Sequence, residues 1–134
     1  MIIVILFWTL FEHLMDRFFA AAVSSLPSGV RNDLLRRYAG IGSRMDRLYR
    51  ALFNTTLQQD MISLGHGSVY GHLMKVQDRR NRFVHGESEV IDDSLVYETV
   101  EKLHDVQAAW VALYNLRCTG KPNAPPVWEG SSPF

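Results

Sequence analysis

Residues 1–23, MIIVILFWTLFEHLMDRFFAAAV, decide the fold, because they combine strong apolarity with a helical repeat. Apolar side chains recur every four residues in one row, and a second row lies beside it: Leu6, Leu10, Leu14, Phe18 and Ala22, then Phe7, Phe11, Met15 and Phe19. This wide stripe predicts a helix over residues 2–24 whose surface is nearly all covered. Either the core of the same chain or a second subunit would cover it, which is a first indication of oligomerisation.

The same stretch is too short to span a bilayer. Its apolar run ends at Phe11 and is followed at once by Glu12 and His13, whereas a membrane helix needs about 20 apolar residues. No Lys or Arg precedes the run, as the basic start of a signal peptide would require. The single cysteine, Cys118, can form no internal disulfide and fits a reducing environment. We therefore expect a cytoplasmic protein with no membrane contact.

The rest of the chain also has helical spacing, without strand-like alternation or an internal repeat. We expect helices over residues 29–38, 43–53 and 68–84, and one or two helical turns within 57–64. Ser43 would cap the second of these helices, and Asp92-Asp93-Ser94 would cap a last helix that runs to about residue 116. Outside the first helix, the side chains expected to face inward include Val30, Leu34, Leu35, Leu95, Val96, Val100, Leu103, Val106, Trp110, Leu113 and Tyr114. The fold class is therefore all-α, a compact bundle of about five helices.

Composition fits one ordinary domain and gives no global charge. Of 134 residues, 47% are hydrophobic, and 14 basic residues balance 14 acidic ones, so nucleic-acid binding would need a local patch. Residues 1–118 form the predicted helical domain, and residues 119–134, rich in Pro, Gly and Ser, form a tail that we expect to be extended or disordered. The histidines match no metal-site spacing, and no glycine-rich phosphate loop is present, so no metal or cofactor is expected.

Residues 77–86, QDRRNRFVHG, carry the candidate chemistry. Helical spacing places Arg80 on one stripe with four valines and leucines: Val69, Leu73, Val76 and Val84. An arginine on an apolar face is costly unless it is paired or needed for function. His85 ends the helix, about 140° around it from Arg80. The two side chains converge if the helix unwinds at His85 or if a second subunit completes the site, and the sequence leaves both possibilities open.

A structural role is the simpler interpretation of each of these residues. Arg80 could pair with Asp78, Glu87 or Glu12. His85 could satisfy the last carbonyl groups of the helix, where its charge would also suit the helix dipole. Asn81 could be an ordinary surface amide.

The string Arg80-Asn81-x-x-x-His85 resembles the R-x4-6-H signature of HEPN domains, and its place at the end of one long helix, shortly before another, fits that family. The resemblance extends over residues 2–117. It implies a helical bundle that dimerises with its two motifs near the interface, and a metal-independent endoribonuclease. By this similarity His85 would be the general base on the ribose 2′-hydroxyl, Arg80 would hold the phosphate, and Asn81 would orient groups.

These residue types suit the chemistry, because histidine titrates near neutrality and arginine offers a fork of donors to phosphate oxygens. Lys75, Arg79 and Arg82 are the predicted RNA-binding residues, and further arginines extend a possible groove: Arg36, Arg37, Arg44, Arg47 and Arg50. The expected partners are RNA and a second copy of the chain. If the chain is a toxin or an antiviral defence effector, an antitoxin protein of nucleotidyltransferase or other type is a further expected partner. The alternatives are a non-catalytic HEPN-like module that binds nucleotide, RNA or protein or represses transcription, and a purely structural dimerisation domain.

Overall fold

A computed structural model describes residues 2–119, apart from the side chain of Ser88, and the regular structure in this range is all helical. The helices are α1 (Ile2–Ala22), α2 (Ser28–Arg37), α3 (Ile41–Ser43, a π-helical segment Arg44–Leu48, and Tyr49–Phe53), α4 (Leu57–Ser63), α5 (Gly67–Val84) and α6 (Asp93–Arg117). A short 3-10 turn, Ser88–Val90, joins the last two. The all-α prediction is confirmed here, with six helices rather than five, and the predicted tail from residue 120 lies outside the described range.

The three long helices set the direction of the bundle. α1 and α6 run parallel, because the Trp110 indole donates to the Leu14 carbonyl at 3.0 Å and the Cys118 thiol lies 3.4 Å from the Phe18 carbonyl. α5 runs opposite to α6, since His72 contacts Glu98 whereas Arg79 reaches back to the Val90 carbonyl. The end of α5 and the start of α6 therefore lie at the same end of the bundle.

The core is built around one face of α1. Phe11, Met15, Phe18 and Phe19 are fully buried, and the Phe18 ring stacks on Tyr49 of α3 with centroids 5.9 Å apart. Each such side chain contributes about 1.5–3 kcal/mol through burial. α1 is therefore the central helix that positions both α3 and α6.

Five apolar side chains predicted to face inward are instead largely exposed: Leu6, Leu10, Val30, Val100 and Leu103. The prediction was wrong for the four residues of α1 and α6 because these helices carry apolar residues around more of their circumference than their neighbours cover, and for Val30 because α2 lies at the surface with no buried residue. Periodicity identifies an apolar face but not the number of helices that pack on it.

The caps were predicted with mixed success. Asp92 caps α6 as expected, because its carboxylate accepts from the Leu95 N–H at 2.9 Å. Ser43 was the wrong cap for α3, which begins at Ile41 after Gly40 in extended backbone, so that Ser43 lies within the helix. The π-helical segment follows directly, a local widening that often accompanies functional sites.

Candidate functional site

The end of α5 is fixed by its backbone hydrogen bonds. His85 N–H donates to the Asn81 carbonyl at 3.2 Å, Gly86 N–H to Phe83 at 3.1 Å, and Glu87 N–H to Arg82 at 3.0 Å. This is a Schellman-type ending, and it requires a residue with positive φ, which Gly86 supplies at +97°. The sequence FVHG therefore ends α5 at Val84, with His85 as the C-cap residue whose N–H still closes a helical hydrogen bond.

The helix therefore does not unwind before His85, and unwinding does not bring its side chain to Arg80. The backbone at these two positions directs the side chains about 140° apart. Asn81 and His85, four residues apart, lie on the same face instead. Both side chains are exposed to solvent.

Arg80 turns back toward that face. Its side chain is half-buried, and Nη1 donates to the Asn81 Oδ1 at 3.3 Å. Within residues 2–119, no carboxylate forms an ion pair with Arg80, and two of the acids that could have paired with it, Asp78 and Glu87, are engaged with Arg82. The guanidinium is thus held by an amide, and its charge is left for another partner.

The three predicted RNA-binding side chains each have a partner within the chain. Lys75 Nζ lies 2.9 Å from Glu98, and its hydrogen bond lowers the pKa of that carboxyl group. Arg82 Nε donates to Glu87 at 2.8 Å, and this bond raises the pKa of Arg82. Lys75 and Arg82 remain 45% exposed, and water screens such surface ion pairs, so phosphate groups can compete for both.

Arg79 differs from these two, because Nη1 donates to the Val90 carbonyl at 2.9 Å and so clamps the turn between α5 and α6. Arg44 is also tied to the fold: its side chain is 15% exposed and donates to the Leu35 and Tyr38 carbonyls and to Asp16. The wider basic groove that includes Arg44 therefore loses at least one of its candidate members to a structural role.

An exposed apolar patch lies along α1 and α6. We call it the α1–α6 patch, and its members are Ile2, Ile3, Leu6, Leu10, Val100 and Leu103. Arg17 lies over the Trp110 ring, 5.8 Å from its centroid, so these two positions mark the stripes on which α1 and α6 face each other. Leu10 and Leu103 lie seven residues before Arg17 and Trp110 respectively, and therefore on the same two stripes.

The α1–α6 patch occupies the first turns of α1 and the first half of α6. The start of α6 adjoins the end of α5, so the patch extends toward the end of the bundle that carries His85. Periodicity indicated a covered α1, but it could not show that part of this helix stays open.

Comparison of the chain with protein-family models, with curated proteins and with solved structures gives no match. None of the helices within residues 2–119 combines the length and apolarity that crossing a membrane requires. Function is therefore inferred from the residues themselves, above all from Arg80, Asn81 and His85.

Proposed function

We propose that the chain is a HEPN-like, metal-independent endoribonuclease that acts as a homodimer. The observation that carries this proposal is the environment of Arg80. It is half-buried, it has no acidic partner among residues 2–119, and it is oriented by Asn81, which shares a face with His85. A guanidinium without an acidic partner remains available for charge-assisted hydrogen bonds to an anion, and a phosphodiester would supply one.

The chemistry then needs only the groups that surround this arginine. His85 in its neutral form takes the proton of the ribose 2′-hydroxyl, and the resulting oxyanion attacks the adjacent phosphorus. The bond from phosphorus to the 5′-oxygen breaks, that oxygen leaves with a proton from water, and a 2′,3′-cyclic phosphate remains. Arg80 holds the phosphate and offsets its developing charge, while Asn81 keeps the guanidinium in place.

The homodimer would use the α1–α6 patch. Monomeric proteins rarely leave a contiguous apolar surface of this kind uncovered, and its members come from two adjacent helices. Because the patch extends toward the end of α5, a symmetric pair with its two-fold axis along the helices would bring two copies of the motif to one side of the dimer. RNA could then contact Arg80 of one copy and His85 of the other.

The test is cleavage of single-stranded RNA by the full chain in EDTA. We expect His85→Ala and Arg80→Ala each to lower the rate on the order of a hundredfold or more. His104→Ala and Arg31→Ala are matched controls, because both residues lie outside the motif and outside the predicted groove, and Arg31 is half-buried like Arg80. Equal rates for the motif variants and their controls, with all four folded by circular dichroism, would contradict the proposal.

One observation favours the second candidate, a non-catalytic HEPN-like module that binds RNA. Arg80 and His85 leave the helix in different directions, so a single copy offers phosphate contacts without a complete acid–base site. This alternative predicts RNA binding that Arg80→Ala weakens and no cleavage at any protein concentration. A toxin or defence role, with an antitoxin as a further partner, would follow only from the first candidate.

A further inference from the structure

A cleft of about 390 Å³ opens between α3, the start of α4 and α5. This volume lies within the usual range of small-molecule sites. Its apolar lining comes from Met45, Leu57 and Met74, and the half-buried Tyr70 adds an aromatic ring. This part of the lining suits the face of a flat ring.

The polar side chains of the cleft are available to a ligand. The amides of Gln58 and Gln77 and the hydroxyl of Tyr70 form no hydrogen bond with any residue from 2 to 119. At the rim, Arg50 lies 3.3 Å from Asp46, and both side chains are more than half exposed. The cleft therefore offers a carboxylate beside a guanidinium, with two amides that can donate or accept.

The cleft lies on the same face of α5 as the candidate site. Its members Tyr70, Met74 and Gln77 are spaced four and three residues apart, and Asn81 and His85 continue this spacing toward the end of the helix. Gln77 and His85 are eight residues apart, which is about 12 Å along the helix axis. A short stretch of extended single strand can span that distance.

We propose that this cleft binds a base of single-stranded RNA, with guanine preferred, and thereby selects the position of cleavage. The Asp46 carboxylate accepts hydrogen bonds from N1–H and the amino group of guanine. Arg50 donates to the neighbouring O6 and N7. Its faces pack on Tyr70 and Met74, as bases do on aromatic platforms. The selection of the cleavage position rests on the proposed nuclease activity, whereas binding of the base can be measured without any cleavage.

Gly42 supplies a mild way to perturb the cleft. A Cβ at this position would lie 3.2 Å from Nε2 of Gln77, so Gly42→Ala shifts the amide slightly, while alanine itself favours the helix. Gly71→Ala is the matched control, because a Cβ there meets nothing within 4 Å. Asp46→Asn is a second variant, which removes the carboxylate from an exposed position.

The experiment measures fluorescence anisotropy of labelled 2′-O-methyl oligonucleotides with the full chain, because that modification prevents cleavage. A single guanine in an oligouridine background should bind about tenfold tighter than a single adenine or than uridine alone. Asp46→Asn should abolish this preference, Gly42→Ala should weaken binding of the base by narrowing the cleft, and Gly71→Ala should change neither. No binding, equal affinity for all oligonucleotides, or a preference that survives Asp46→Asn would overturn the proposal.

The outcome is separable from that of the nuclease. Guanine-preferring binding without any cleavage of ordinary RNA would support the cleft and contradict the nuclease. Cleavage without base preference, in wild type and Gly42→Ala alike, would overturn the cleft proposal and leave the nuclease standing.

Discussion

Removal of the Asp60 carboxylate should destabilise the fold more than any change at a surface ion pair. Asp60 is 7% exposed and accepts from Arg117 through Nε at 2.9 Å and Nη2 at 3.0 Å, and from the Tyr49 hydroxyl. It thereby joins α3, α4 and α6. Burial, followed by the bond to Asp60, raises the pKa of Tyr49, so its hydroxyl stays protonated and donates.

Asp60→Ala would leave the Arg117 guanidinium, which lies over the Phe53 ring, and the Tyr49 hydroxyl without this acceptor. Breaking one side of a buried ion pair costs about 3–5 kcal/mol. Because the Arg117 side chain is 26% exposed and can turn toward water, we expect the lower end, about 3 kcal/mol.

The assay is urea unfolding followed by circular dichroism, with Asp33→Ala as the control. Asp33 pairs with Arg36 and Arg37 on an exposed surface, so its loss should cost about 0–1 kcal/mol. Similar losses for the two variants would refute the assignment of Asp60 as the buried junction of three helices.

Three further predictions concern other parts of the molecule. Burial lowers the pKa of His72 below its usual 6.5 despite the nearby Glu98, so the unfolded chain takes up a proton at higher pH than the folded chain does. The free energy of unfolding should therefore fall as the pH drops from about 6.5 toward the pKa of the folded state. In urea titrations at pH 7.5 and 5.5, His72→Gln should reduce this dependence on pH. Leu6→Asp should shift a dimer toward monomer in analytical ultracentrifugation. Ala20→Asp is the control and should cause no shift, because Ala20 is exposed on α1 outside the α1–α6 patch. An unchanged mass for Leu6→Asp would argue against this interface. Gly86→Ala should lower the free energy of unfolding by about 1–2 kcal/mol, because the glycine has a positive φ. Gly71→Ala, where a Cβ meets no other atom within 4 Å, should be neutral or stabilising. Equal unfolding midpoints for the two variants would contradict the Schellman ending.

Local rules explain what the sequence could predict. The long helices follow from apolar periodicity, the start of α6 from the Asp92 cap, and the end of α5 from a glycine after His85. Each of these depends on residues within one or two turns of one another. Sequence reasoning therefore placed Arg80 on its helix and His85 at the helix end.

Tertiary contacts explain what it missed. Arg117 meets Asp60 from 57 residues away, and no local pattern signals that pair. The cleft beside α5 likewise needs α3 to approach Gln77 at Gly42. One signal was present in the sequence, since Tyr70, Met74 and Gln77 share a helical spacing with Asn81 and His85, but only the neighbouring helix turns that face into a cleft.

The most direct test of the central claim is the mass of the products from an RNA of defined sequence, cut in EDTA. We predict a 5′ fragment that ends in a 2′,3′-cyclic phosphate. This fragment should be lost when the nucleotide at the cut carries a 2′-deoxyribose. Fragments that form equally well with the 2′-deoxy substrate, or equally well with His85→Ala, would contradict attack by the ribose hydroxyl at a site built on Arg80 and His85.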